Sequence, residues 1–361
     1  GKFLMYNKLT ASQAAYLNFL RGFSAIIVLA GHTLSGISGV ISFGKQLPFQ
    51  SLAVNAFFWL SGFLITYHCI TKKPYSFVEY MIDRFCRIYV IYIPVLILSV
   101  FLLVEAELAS MPKLKEWIAN ILMIQHTPFN RIFEFLPTIP PLAQISPLWS
   151  IAVEWWLYTL FGIAFFFHKS SFATRLIMSL LIIPALLVAG YFTLKEYVAL
   201  VWFLGSGCAY HFCNINRKYN NHAILMLSLI TGAAFLVRFY VLKHSLMNMY
   251  DLQLVIPGCI FLYSLLLLLS TNKQNKKIEL ISTFLAFISY TLYLSHEPIR
   301  RVVSTFIEPT NLKRGFLICG VCIACATIIA YLLENKHLVV REWLKNKLLQ
   351  KNTSNKLAYS T

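Results

Sequence analysis

The residues that could do chemistry stand in the middle of apolar runs. Arg21 and His32 interrupt the stretch LNFLRGFSAIIVLAGHTLSGISGV at 17–40. Eleven steps at ~100° per residue return a helix to within about 20° of its starting face, so both side chains point the same way, ~16 Å apart along the axis. Glu154 and His296 lie in two other apolar runs. Ionisable side chains in a membrane span are costly and usually line a bundle interior or a water-filled cavity. An imidazole beside a carboxylate is the combination that general-base or nucleophilic catalysis requires. Arg84 and Arg87 stand at i, i+3, on one helix face. Two guanidinium forks so placed suit phosphate oxygens, and a polyphosphate ligand is the chemistry they fit.

The elements that must position these groups are membrane helices. The 361-residue chain is 58% hydrophobic and only 12% charged, about half the charge of an ordinary soluble domain. Long apolar runs recur along it, whereas the short alternating segments of a β-barrel do not. The fold class is all-α, a polytopic integral membrane protein. Ten spans are predicted, near 17–40, 50–70, 85–104, 148–168, 176–193, 197–214, 223–242, 252–270, 282–300 and 314–333. An even number puts both termini on one side, and well over half of the 31 lysines and arginines fall on that side. The positive-inside rule makes it the cytoplasm, so the formal charge of +17 reflects membrane topology rather than nucleic-acid binding. Anionic membrane lipid is a natural partner of the basic face. Residues 1–334 are read as the membrane domain and 335–361 as a cytoplasmic basic tail, a short amphipathic helix followed by disorder. The longest outer segment, 105–147, is proline-rich and carries a short helix near 114–125.

Depth follows from this topology at ~1.5 Å per residue. His32 lies roughly 22 Å from the cytoplasmic end of its span, His296 about 21 Å from the end of its own, and Glu154 roughly 9 Å below the outer surface. All three therefore share one level, and Asn55, early in the inward-running second span, joins them. Arg21, Arg84, Arg87 and the Lys72-Lys73 pair gather at the inner face. Each residue also has a plainer reading. Lone histidines and asparagines join helices by hydrogen bonds, and basic residues anchor inner helix ends. The run Cys319-x-x-Cys322-x-x-Cys325 lies in an apolar helix, where cysteine acts as a small hydrophobe, so no metal site is expected.

Five motifs in order resemble the membrane acyltransferase-3 family. They are Arg21 with His32; Phe58-Trp59-Leu60-Ser61-Gly62-Phe63-Leu64-Ile65; Arg84-Phe85-Cys86-Arg87; Trp149-Ser150-Ile151-Ala152-Val153-Glu154 followed by Tyr158; and Ser289-Tyr290-Thr291-Leu292-Tyr293-Leu294-Ser295-His296-Glu297-Pro298. The departures are Asn18, where an acidic residue is common, a missing proline soon after Arg87, and His337 where proline often follows the last helix. The resemblance implies transfer of an acyl group, usually acetyl from cytoplasmic acetyl-CoA, to a hydroxyl on an extracytoplasmic or lipid-linked saccharide. It implies His32 as catalytic base or transient acyl carrier, and Arg21, Arg84 and Arg87 as acyl-CoA contacts. Glu154 is expected to orient His32. Trp149, Ser150, Asn55, Tyr290 and His296 are expected on the acceptor side.

The expected function is thus an O-acetyltransferase of the bacterial inner membrane acting on an envelope polysaccharide, such as lipopolysaccharide O-antigen or capsule. Acylation of a lipid, a signalling oligosaccharide or a small molecule is the neighbouring alternative. A transporter using the buried histidine–glutamate level is the alternative from another class.

Overall fold

The computed structural model describes residues 6–35, 37, 49–72, 75–125, 139–195, 197–215, 221–242, 251–270 and 275–358, which are helical almost throughout and contain no strand. Among the described residues twelve α-helices follow one another: α1 (Ala11–Leu34), α2 (Phe49–Thr71), α3 (Phe77–Glu105), α4 (Leu114–Ile121), α5 (Leu148–Phe166), α6 (Phe172–Lys195), α7 (Val198–Asn214), α8 (Asn221–Leu242), α9 (Leu252–Leu268), α10 (Lys276–Phe306), α11 (Leu312–Leu333) and α12 (Lys336–Ala358). Ten of them fall on the ten predicted segments. Eight stretches are long and apolar enough to cross a membrane, while α7 and α9 have 17 residues each. Residues 36 and 38–40 of the first predicted span, 126–138 within the outer segment, and Lys73 of the Lys72-Lys73 pair lie outside the described residues.

Helix starts obey local capping chemistry. At α1, Gln13 N–H donates to Thr10 Oγ1 and Thr10 N–H donates back to Gln13 Oε1, which satisfies two orphan donors. At α3 the same box forms between Ser76 and Glu79. That box carries α3 two turns ahead of the predicted start at 85, through the polar segment that hydropathy alone rejects. Four prolines, Pro94, Pro184, Pro257 and Pro298, sit inside apolar helices. In water each would break its helix, but inside a membrane protein neighbouring groups re-satisfy the freed carbonyls.

By contact the chain falls into two units, residues 1–73 with 190–323, and residues 74–189 with 324–361. The first holds α1, α2, α7–α10 and the start of α11. Its helices approach through small residues, as lipid-embedded helices must when hydrophobic burial offers no drive between them. Gly62 of α2 and Gly205 of α7 make a reciprocal contact. A Cβ on Gly62 would strike the backbone carbonyl of Trp202, and one on Gly205 that of Trp59. The seam also carries Thr66 Oγ1 and Ser206 Oγ at 2.7 Å, and Trp202 Nε1–H donating to Ser61 Oγ at 3.2 Å. α1 meets α10 in the same manner, with Gly22 against the backbone of Leu285. α8 and α9 pack together, and Arg238 grips Asp251 just ahead of α9 with two bonds of 3.2 and 3.0 Å. Hydrogen bonding from that guanidinium holds the Asp251 carboxyl below the usual carboxylate range.

The second unit holds α3–α5, most of α6, and α12. Tyr80 O–H donates to the Tyr158 carbonyl at 2.9 Å, tying α3 to α5. The short helix α4 ends at Ile121, four residues before the predicted limit. Asn120 stops it by becoming a junction: its Nδ2 donates to the Glu116 and Pro140 carbonyls, and its Oδ1 accepts from Leu142 N–H. Met123, at φ 57°, turns the chain away. Met111, Leu114, Ile118 and Leu122 remain exposed, the apolar face that an interfacial helix gives to lipid.

The glycine seam sets the first expectation. Gly205→Ala should lower the melting temperature of the detergent-purified protein, at a cost of about 1–3 kcal/mol, because backbone and not a flexible side chain blocks the methyl. Gly207→Ala, two residues along α7 with nothing within 4 Å, should leave it unchanged or slightly higher.

Candidate functional site

α1 and α10 bring two histidines into contact. The rings of His32 and His296 stack with centroids 5.5 Å apart and 28° between planes. His32 is half-buried. His296 is 0% exposed. The contact follows from sequence: Gly22 lets the helix backbones close up below it, and His32 lies almost three turns along the same helix. The ring of Tyr293 also stands 5.9 Å from His296, itself met edge-on by Phe57 of α2 at 5.4 Å. Nδ1 of His296 lies 2.8 Å from the Tyr293 carbonyl and 3.2 Å from that of Leu292. A carbonyl only accepts, so Nδ1 carries the hydrogen.

Beside this pair the structure places a charge that sequence reasoning passed over. Glu297 is buried at 8% exposure and forms a 2.9 Å ion pair with Arg300, one turn on. Its charge acts on both imidazoles, with Arg300 opposing it at His32. The signal was present as Glu297-x-x-Arg300, a carboxylate and a guanidinium at helical spacing next to a motif histidine.

The other expected residues divide between the two units. Arg21, Asn55 and Tyr290 share the first unit with the histidines; Asn55 is buried in α2, Tyr290 is buried in α10, and Arg21 is half-buried. Asn55 also lines an apolar cavity of about 640 Å³ between α2, α8 and α9. Arg84, Arg87, Trp149, Ser150 and Glu154 belong to the second unit. There Glu154 accepts a hydrogen bond from Tyr158 one turn along α5. Ser150 Oγ donates to the Pro147 carbonyl at 2.9 Å, bracing the first turn of that helix, and Trp149 is half-buried beside it.

The two arginines at the head of α3 differ. Arg84 lies between aromatic faces, its guanidinium carbon 5.9 Å from the Tyr80 ring centre and 5.8 Å from that of Tyr158. It forms no ion pair among the described residues, and its buried Nε has no hydrogen-bond partner. A stacked guanidinium without a carboxylate is a cation held ready for an anion. Arg87 instead donates from Nη1 to Glu334 at 2.7 Å, with that carboxylate 3% exposed.

Glu334 introduces α12. The tail is helical from Lys336 to Ala358, without the early end predicted for it, and it is docked. Buried Asp83 receives Lys345 Nζ at 2.8 Å and Arg341 Nε at 3.8 Å, and also accepts from the Tyr75 hydroxyl. The basic residues that suggested a lipid-facing stripe thus include two that answer one carboxylate on α3.

Residues 14–333 match the family model of the acyltransferase-3 group, described as an acyltransferase domain. Searches among curated proteins and among solved structures each gave no significant match.

The docking of α12 is open to test. Asp83→Asn removes the charge that Lys345 and Arg341 answer and should weaken the docking by about 1–3 kcal/mol. Limited trypsin digestion should then cut within residues 336–347 at least about fivefold faster than in the parent protein. An unchanged cleavage rate would show that apolar contacts hold the helix.

Proposed function

The chain belongs to the membrane acyltransferase-3 family, and on that premise we propose that it is an O-acetyltransferase of the bacterial inner membrane, with both termini in the cytoplasm. It takes acetyl from cytoplasmic acetyl-CoA and gives it to a hydroxyl of an envelope polysaccharide or its lipid-linked precursor. The observation that carries the reading is the stacked His32–His296 pair, an ionisable couple kept inside apolar helices next to a carboxylate. Such a couple is too costly to retain for packing alone.

In the proposed reaction His32 takes the proton of the acceptor hydroxyl as its oxygen attacks the thioester carbon. The carbon–sulfur bond then breaks, and the imidazolium returns the proton to the departing thiolate of CoA. A positioned base of this kind is worth about 10²–10⁴ in rate. Glu154 is assigned the role of orienting the base, and Glu297 stabilises the imidazolium from within its own unit. Arg84 is assigned to the donor phosphates, because it has aromatic support and no ion-paired carboxylate among the described residues. Arg87 and Arg21 complete the donor side. Trp149, Ser150, Asn55 and Tyr290 are assigned to the acceptor.

Two variants test the assignment. His32→Ala, at matched abundance in membranes, should cut alkali-labile acetyl in the envelope about a hundredfold or more while the purified protein still gains thermal stability from acetyl-CoA. Arg84→Lys should lose most of that acetyl-CoA stabilisation, since lysine supplies neither the planar fork nor the stacking. Undiminished acetylation in His32→Ala would remove His32 from the reaction.

A further inference from the structure

His296 is held in a way that packing does not require. With Nδ1–H committed to the Leu292 and Tyr293 carbonyls, the neutral ring presents a bare lone pair at Nε2. That Nε2 is buried and has no hydrogen-bond partner among the described residues. His32 does not serve it, because the two rings stack rather than meet edge to edge. Nearby, the Tyr293 ring lies at 5.9 Å, and the Cys322 thiol points to the His296 carbonyl at 3.9 Å. A buried acceptor left unfilled is destabilising, and native proteins keep one where a ligand or a reaction fills it.

The group that fills it must be a hydrogen-bond donor small enough to enter between apolar side chains. Given the acyl-transfer reading on which this inference rests, the acceptor brings such donors as hydroxyls. One hydroxyl must face His32 to be deprotonated. With ring centres only 5.5 Å apart, a second hydroxyl on the adjacent carbon comes within reach of His296. We propose that Nε2 of His296 is the hydroxyl-reading point of the acceptor site, taking a hydrogen bond from the hydroxyl next to the one that is acylated. The acceptor is then a vicinal diol, as on a sugar ring, and His296 sets which of its positions receives the acyl group. No proton changes hands at His296. It fixes the substrate while His32 does the chemistry, and a site built on such a bond rejects a partner lacking the hydroxyl strongly.

Three substitutions separate this role from a structural one. Gln reaches the Nε2 position with an amide oxygen that can accept, Asn is too short to reach it, and Leu fills space without accepting. At matched membrane abundance, His296→Leu and His296→Asn should lower alkali-labile envelope acetyl about ten- to a hundredfold, while His296→Gln stays within about tenfold of the parent. All three should keep the thermal stabilisation by acetyl-CoA, and His296→Leu should melt no lower than the parent, because it removes an unfilled polar atom. Proton NMR of the isolated polysaccharide from the parent strain should place acetyl on a carbon whose neighbour carries a free hydroxyl. Asn as active as Gln, loss of acetyl-CoA stabilisation in all three, or acetyl on a hydroxyl without a free neighbour would overturn the assignment. Acetylation lost in His32→Ala but retained in His296→Leu overturns this assignment alone. Acetylation retained in both overturns the acyl-transfer reading as well.

Discussion

Everything in the first unit depends on the cost of polar groups in hydrocarbon. A bilayer core offers no water, so a buried imidazole or carboxylate must find a partner in protein or carry a function that outweighs the loss. The chain meets this constraint with helix proximity. Gly22 lets α1 close on the backbone of α10, and Gly62 and Gly205 do the same for α2 and α7. Only with the backbones this near can His32 and His296 stack while Phe57 and Tyr293 shut the surroundings. Burial that would be wasteful in a scaffold becomes useful in a reaction, since a dry site strengthens the electrostatics aimed at a developing charge.

The second unit handles charge differently. Two buried carboxylates pair with its basic groups, Glu334 with Arg87 and Asp83 with Lys345 and Arg341, while Glu154 accepts a hydrogen bond from the Tyr158 hydroxyl. Arg84 is the exception, lying by two aromatic faces with no ion pair among the described residues. A guanidinium on aromatic faces beside one that is ion-paired is the contrast expected of a ligand contact next to a structural clamp. The clamp in turn makes α12 part of the folded unit.

Much of the fold was legible in the sequence because membrane helices report themselves through length and hydropathy. All ten predicted segments became helices. Equal-depth arithmetic put His32 and His296 at one level, and in the structure their rings touch. What hydropathy could not supply was helix rotation and polar extension. The early start of α3 hangs on the Ser76–Glu79 box, a local hydrogen-bonding event inside a hydrophilic stretch. The end of α4 hangs on the contacts of Asn120 with a segment twenty residues away. Docking of α12 required Asp83 to be seen as buried, which its place in a polar helix start concealed. Glu297 was hidden in another way. It sat inside a recognised motif, and only its ion pair with Arg300 beside both imidazoles gives it a separate identity.

The account stands or falls on whether the chain moves an acetyl group through His32. The most direct measurement supplies acetyl-CoA labelled in its acetyl carbon to inverted inner-membrane vesicles containing the protein, and follows label into alkali-labile ester on envelope saccharide. The account predicts label transfer with the parent protein and almost none with His32→Ala, although the variant still binds acetyl-CoA. Equal transfer by both proteins, or no transfer by either when the parent binds acetyl-CoA and envelope acceptor is present, would contradict it.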